Sequence, residues 1–249
     1  MNRVENEFFD INKFPAEKGI LLFPISMSRI LNRQSAPECL KDIRHLSPSK
    51  ISKPLVGLNF VYGDFLYLSS DKPAAELKNT FMTQVINHKN EMSKLLSKNT
   101  TQFQIQNAFN YMVWNQMYLG TVNFNIKLSE IKSLYKQDEK FQQYIKEDAD
   151  FFKRELTENQ VNFFLEEHLM FYLLSRGKVR LPNDFIQDHQ KWILWCYPGK
   201  QPKALIYLMQ LNPFKLDWPE NKYQNAAYNL DEKNLIEFDR VNLETYTYE

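Results

Sequence analysis

The hydrophobic pattern divides the chain into short continuous apolar runs and longer stretches with a helical repeat. Gly19-Ile20-Leu21-Leu22-Phe23-Pro24-Ile25-Ser26 is apolar without interruption until its serine, the signature of a strand buried on both faces. Polar residues then appear abruptly in Ser26-Met27-Ser28-Arg29. The spacing predicts a short helix over 35–43, with Ser35 or a neighbour as its cap, and a second strand over 64–70. It predicts a long amphipathic helix over 74–98, with Leu77, Phe81, Val85, Met92 and Leu95 on one side, and a short third strand at Phe103-Gln104-Ile105. A helical region follows from 107 to 176, broken near Gly120 and Ser129. Its last helix, Gln160 to Arg176, is apolar on most sides and is expected to be buried. Two further apolar runs, Trp192–Tyr197 and Ala204–Met209, close the core.

Buried strands alternating with helices imply one α/β domain built on a parallel five-stranded sheet flanked by helices. Residues 19–210 form its core. From Pro213 onward periodicity is weak, and this stretch carries four basic against eight acidic residues. It reads as a surface extension over 213–249. In parallel sheets ligands sit beyond the carboxyl ends of the strands. That rule selects Ser26, Ser69, Ser70 and Tyr197.

Composition narrows the function. With 43% apolar and 14% aromatic residues the chain is not generally disordered, and six glycines speak against a turn-rich sandwich or repeat array. Net charge is +1, so a nucleic-acid partner must be held by a local patch. Cys39 and Cys196 form neither a disulfide framework nor a metal site, and no metal is expected. No apolar run approaches the ~20 residues of a membrane span, and Met1–Asp10 lacks a signal-peptide pattern. A cytoplasmic protein away from the membrane is the expectation.

Three residues carry candidate chemistry. Ser26 closes a buried strand, where its hydroxyl is held near the cleft; an ordinary turn-capping serine occupies the same position, and no Gly-x-Ser-x-Gly surrounds it. Glu167 has Phe163, Phe164, Met170 and Phe171 as its helical neighbours. A carboxylate in an apolar face needs a partner or a task, and an incoming ammonium group supplies one. Tyr197 ends a strand before Pro198-Gly199; packing with its hydroxyl bonded is the alternative there. Cys196, on the opposite strand face, reads as core. Lys78, Lys89, Lys94 and Lys98 make the 74–98 helix basic, with Lys94 and Lys98 one turn apart; a solvated face is the common reason for such spacing.

Together these positions resemble the tRNA-dependent cyclodipeptide synthases over residues 19–210. The resemblance rests on Ile25-Ser26, on Phe65-Leu66-Tyr67-Leu68-Ser69 followed by a long basic helix, on Val161-Asn162-Phe163-Phe164-Leu165-Glu166-Glu167-His168-Leu169-Met170-Phe171, and on Trp195-Cys196-Tyr197-Pro198. Arg29 together with Tyr197-Pro198 is similar to the branch whose strand-end pair is tyrosine-proline. The resemblance implies a Rossmann-like sheet related to class I aminoacyl-tRNA synthetases. It implies two aminoacyl-tRNA substrates, no ATP and no cofactor. Ser26 becomes the nucleophile, Glu167 the group that engages the α-amine, and Tyr197 an aid to proton transfer during cyclisation. Pro24, Phe163, Met170, Trp195, Pro198 and Arg29 are expected around the amino acids, and Lys89, Lys94, Lys98 and Arg33 on tRNA phosphates. Two departures stand out. Phe163 lies where the family usually has a tyrosine that hydrogen-bonds the amine, and Pro24 lies where it favours glycine, which removes a backbone donor. A class I synthetase-like enzyme, a non-catalytic tRNA-binding protein with the same fold, and a serine esterase are the competing readings.

Overall fold

The structure, a computed structural model, describes residues 18–46, 55–64, 66, 74–98, 110–179, 191–217 and 226–248. Six strands form one sheet in the order β3-β2-β1-β4-β5-β6. They are β1 (Lys18–Ile25), β2 (Leu55–Tyr62), β3 (Asn110–Val113), β4 (Lys191–Tyr197), β5 (Ala226–Asn229) and β6 (Asn234–Glu237). All neighbours pair in parallel except β5 with β6. The chain winds outward from β1 to β3 and then restarts at β4 on the other side of β1. The order therefore reverses between β1 and β4, and in open α/β sheets the ligand crevice lies at that switch point.

Alternation along β1 and β4 distributes side chains to two cores. Leu21, Phe23 and Ile25 join Phe60, Tyr62 and Cys196 beneath α1 (Ala36–His45) and α2 (Ala74–Ser97). Leu22 and Trp195 face the other way, into a larger core. That core is roofed by α3 (Trp114–Gly120), α4 (Phe124–Gln137), α5 (Glu139–Phe151), α6 (Glu158–Ser175) and α7 (Lys203–Leu211). The period of two puts Pro24, Ser26 and Tyr197 on the α6 side as well. Pro24 is tolerated because the pairing of β1 with β4 stops at Leu22–Trp195, so the proline has one ladder neighbour instead of two.

Helix ends explain the roof. Thr157 caps α6, its side chain accepting from the Gln160 N–H at 3.2 Å. Pro202 cannot cap α7 with a side chain, and Asp148 of α5 does so from a distance. Its carboxylate accepts from the backbone N–H of Lys203 (2.8 Å) and of Ala204 (3.0 Å), and from the Tyr248 hydroxyl. The Tyr246 hydroxyl bridges both backbone groups of Gln201, at 3.0 Å from its N and 3.1 Å from its O, and the Tyr248 ring stacks on Phe151 at 4.0 Å. The chain's final residues thus clasp the segment between β4 and α7.

Several expectations change. The sheet has six strands instead of five. Ala204–Met209 lies in helix α7; a short apolar run has the same composition in a buried helix as in a buried strand. The second strand is Leu55–Tyr62, and Asp64 sits in a turn; residues 67–70 of the expected strand, with Ser69 and Ser70, and the whole of 103–105 lie outside the described residues. The helical region is interrupted at Asp138, which caps α5, and runs unbroken through Ser129. The 213–249 stretch is not only a surface extension: β5 and β6 complete the sheet, and Phe238 is fully buried.

Candidate active site

A cavity of about 90 Å³ opens at the switch point. Its wall brings together Pro24, Ser26 and Arg29 from the end of β1, Phe163, Glu167 and His168 from α6, and Trp195 and Tyr197 from β4.

The Ser26 loop is held by a chain of buried groups that the sequence did not expose. Gln34 reaches back under it. Its Nε2 donates to the Pro24 carbonyl at 2.5 Å, and its Oε1 accepts from the Ser26 N–H at 2.9 Å. The Gln34 carbonyl in turn accepts from His88 Nε2 at 3.0 Å, and Tyr62 Oη lies 2.8 Å from His88 Nδ1. Because a carbonyl only accepts, Nε2 carries the proton and Nδ1 accepts from the tyrosine. Burial pushes His88 down to about 4, which keeps this ring neutral and its tautomer fixed. The Ser26 and Ser28 hydroxyls are 2.9 Å apart at the cavity edge.

Glu167 faces this loop across the cavity. Burial pushes its carboxyl from the ordinary 4.5 up to about 7; Arg154 pulls it down, while Asp148 and Glu166 add to the rise. Arg154 lies over the rings of Phe163 (4.7 Å) and Phe164 (5.9 Å), so the ring at 163 carries a cation where a tyrosine hydroxyl was expected. Glu166, its sequence neighbour, is taken up by Trp114, whose Nε1 donates to it at 2.9 Å.

On the third side, Arg29 ties β1 to β4. Its Nη1 donates to the Pro198 carbonyl at 2.6 Å and its guanidinium lies 5.4 Å from the centre of the Tyr197 ring. Gly199 has φ +94, a backbone setting open to glycine, and a Cβ there would come within 3.5 Å of Arg29 Nη1. Cys196 points into the opposite core, where burial raises its thiol well above the usual range.

Not every expected residue is here. Met170 is fully buried on another side of α6, with its Sδ 3.9 Å from Thr121 Oγ1, because the cavity face of this helix runs through 163, 164, 167, 168 and 171. Pro198 contributes its carbonyl to Arg29 and is absent from the wall. Lys94 and Lys98 are exposed on and just after α2, while Lys89 lies 5.3 Å from the centre of the Tyr111 ring. Arg33 is committed elsewhere: it makes a two-pronged ion pair with Asp42 (2.8 and 3.2 Å) and a second with Asp231 (2.7 Å), which fastens α1 to the β5–β6 turn. Gln34, His88, Arg154 and His168 were not singled out in the sequence, since what each meets is set by how the chain turns back on itself and not by a periodic pattern.

Three solved structures share this architecture. A CDPS (cyclodipeptide synthase) from Fluoribacter dumoffii is 17% identical and superposes with a TM-score of 0.52 over 86% of this chain and 91% of that one. The fold is that of the cyclodipeptide synthases. A cyclodipeptide synthase from Bacillus thermoamylovorans (13% identity, TM-score 0.52, 85% of this chain and 89% of that one) and a CDPS from Staphylococcus haemolyticus (12%, 0.50, 82% and 87%) agree. No family profile and no curated protein matches the chain. The cyclodipeptide-synthase fold is therefore present at an identity where side chains, not alignment, must carry the function.

Proposed function

We propose that this protein is a tRNA-dependent cyclodipeptide synthase that works through an aminoacyl-serine. The observation that carries the reading is the meeting of Ser26 and Glu167 in one cavity at the switch point, with Tyr197 in the same wall. An aminoacyl-tRNA ester is already activated, so the reaction needs no ATP. The Ser26 hydroxyl attacks the ester carbonyl; the new Oγ–C bond forms as the bond to the tRNA ribose breaks, and the ribose oxygen leaves with the serine proton.

Glu167 then acts on the bound amine. An α-amino group has an ordinary pKa of about 7.7–8.0, and Glu167 sits at about 7. The two are matched closely enough for Glu167 to hold the ammonium and take its proton, which leaves a nucleophilic amine. That amine attacks the ester of a second aminoacyl-tRNA and releases the second tRNA. The resulting dipeptidyl-serine closes on itself: the free amine attacks the serine ester, the C–Oγ bond breaks, and Ser26 regains its proton as the diketopiperazine departs. Tyr197, in the same cavity wall, passes protons in this last step, and closure within one bound molecule is favoured by proximity. Lys89, Lys94 and Lys98 hold tRNA phosphates in this reading, and Arg33 is left to structure.

Incubation with charged tRNA followed by intact-mass measurement tests the proposal. The expected result is a mass increase of one aminoacyl residue in the wild type, none in Ser26→Ala, and diketopiperazines in the medium of bacteria expressing the wild-type chain. Reversible tRNA binding with no adduct would replace it with a binding protein, and turnover of simple esters without tRNA would replace it with an esterase.

A further inference from the structure

Three buried side-chain nitrogens in the cavity wall meet no hydrogen-bond partner among the described residues. His168 follows Glu167 on α6, is fully buried, and has no partner at Nδ1 or Nε2. Nε2 of Gln201 is buried in the same condition. Both residues line the cavity. Burial alone holds His168 down at about 3, so the ring is neutral and offers one donor and one acceptor. Its plane is fixed by stacking on Phe164, with centroids 5.8 Å apart at 24°. Phe163, Phe164, Phe171 and Trp195 give the same wall an aromatic share, beside aliphatic residues such as Val61, Leu66 and Leu205.

Buried donors and acceptors with no partner lower stability, and native folds rarely keep them without a use. Here they belong to the wall of one cavity that also carries several aromatic rings. A phenol pairs two of these three groups: its O–H donates to the unprotonated nitrogen of His168 while its oxygen accepts from Gln201 Nε2. A phenyl or aliphatic side chain fills the same space and leaves every one of these groups unmatched. Glu167 is not a competitor for the hydroxyl, because the amine occupies it.

We propose that the cavity selects a first aminoacyl residue with an aromatic side chain ending in a hydroxyl, a tyrosyl group, and that His168 and Gln201 read the hydroxyl. This inference rests on the synthase reading. Sites built to bond a substrate hydroxyl discriminate strongly against the analogue that lacks it, whereas purely apolar pockets do not.

The test uses one tRNA, the tyrosine acceptor, charged with either tyrosine or phenylalanine, so that only the side chain differs. The rate of adduct formation on Ser26 is followed by intact mass. The wild type is expected to take tyrosine at least tenfold faster. His168→Leu brings the two rates within about twofold, chiefly by slowing tyrosine, and keeps the phenylalanyl adduct. His168→Asn, which restores a donor and an acceptor, retains a tyrosine preference. Equal rates or a phenylalanine preference in the wild type overturns the inference whether or not the variants fold, and so does an unchanged ratio in His168→Leu. Failure of every aminoacyl-tRNA to leave an adduct refutes the synthase reading itself; an adduct with the wrong preference refutes only the role of His168 and Gln201.

Discussion

Replacing Glu167 with glutamine should stabilise the free protein, and by an amount that depends on pH. The carboxyl moves from 4.5 to about 7 on folding because the cavity wall strips it of water, with Asp148 and Glu166 adding to the rise and Arg154 opposing it. That is a factor of about 300 in its protonation equilibrium, or about 3 kcal/mol. The direction follows from linkage. A raised carboxyl binds its proton more tightly in the folded state, so its contribution is fully present below 4.5 and is lost as pH rises through about 7. Glutamine carries no such proton. The stability of Glu167→Gln relative to wild type should therefore climb by about 3 kcal/mol between pH 4 and pH 8.5. Urea unfolding at four pH values across this range measures it. A fixed offset from packing or hydrogen bonding cancels, since only the change with pH is diagnostic. A flat difference would refute the claim that the cavity desolvates this carboxyl, and with it the match to an α-amine. The same variant should fail to form diketopiperazine even where it folds better.

Gln34→Leu leaves the Ser26 N–H and the Pro24 carbonyl unpaired, which should cost about 2–4 kcal/mol in a thermal or urea melt and slow acylation of Ser26. Lys94→Ala and Lys98→Ala together should leave the melt unchanged and flatten the dependence of log affinity for tRNA on log salt by about 0.7–0.9 per lysine. Unaltered salt dependence would remove α2 from the tRNA surface. Arg33→Met should do the reverse, lowering stability by about 1 kcal/mol through its partly exposed ion pairs while leaving the salt dependence as it was.

What the sequence made legible was whatever the local pattern determines. The run ending at Ser26 is a central strand because no polar residue interrupts it. Glu167 is conspicuous because it breaks an apolar helix. Cys196 and Tyr197 separate to opposite faces as a period of two requires. Other features depend on residues elsewhere in the chain. Leu55–Tyr62 carries Gly57 and Asn59 within its run, which hides a strand flanked by two others. Ala204–Met209 is helical because a carboxylate over fifty residues earlier caps it. β5 and β6 have four residues each, too few for a period to emerge. Arg33 was expected on tRNA phosphates, and its pairing with Asp42 and with Asp231, 198 positions away, is set by the packing of α1 against the β5–β6 turn. Gln34 and His88 hold the Ser26 loop from neighbouring elements, and nothing in their own sequence surroundings announces that contact.

The clasp of Tyr246 and Tyr248 on residues 201–203 gives the protein a built-in order of completion. Gln201 belongs to the cavity wall, yet its backbone and that of Lys203 are held by hydroxyls 45 positions later in the chain, and Asp148 meets its tyrosine 100 positions on. These contacts close only once residues 246–248 have been added to the chain. A chain cut before residue 246 would lack both hydroxyls that hold residues 201 and 203, so the order of the cavity wall near β4 depends on side chains from the far side of the sheet.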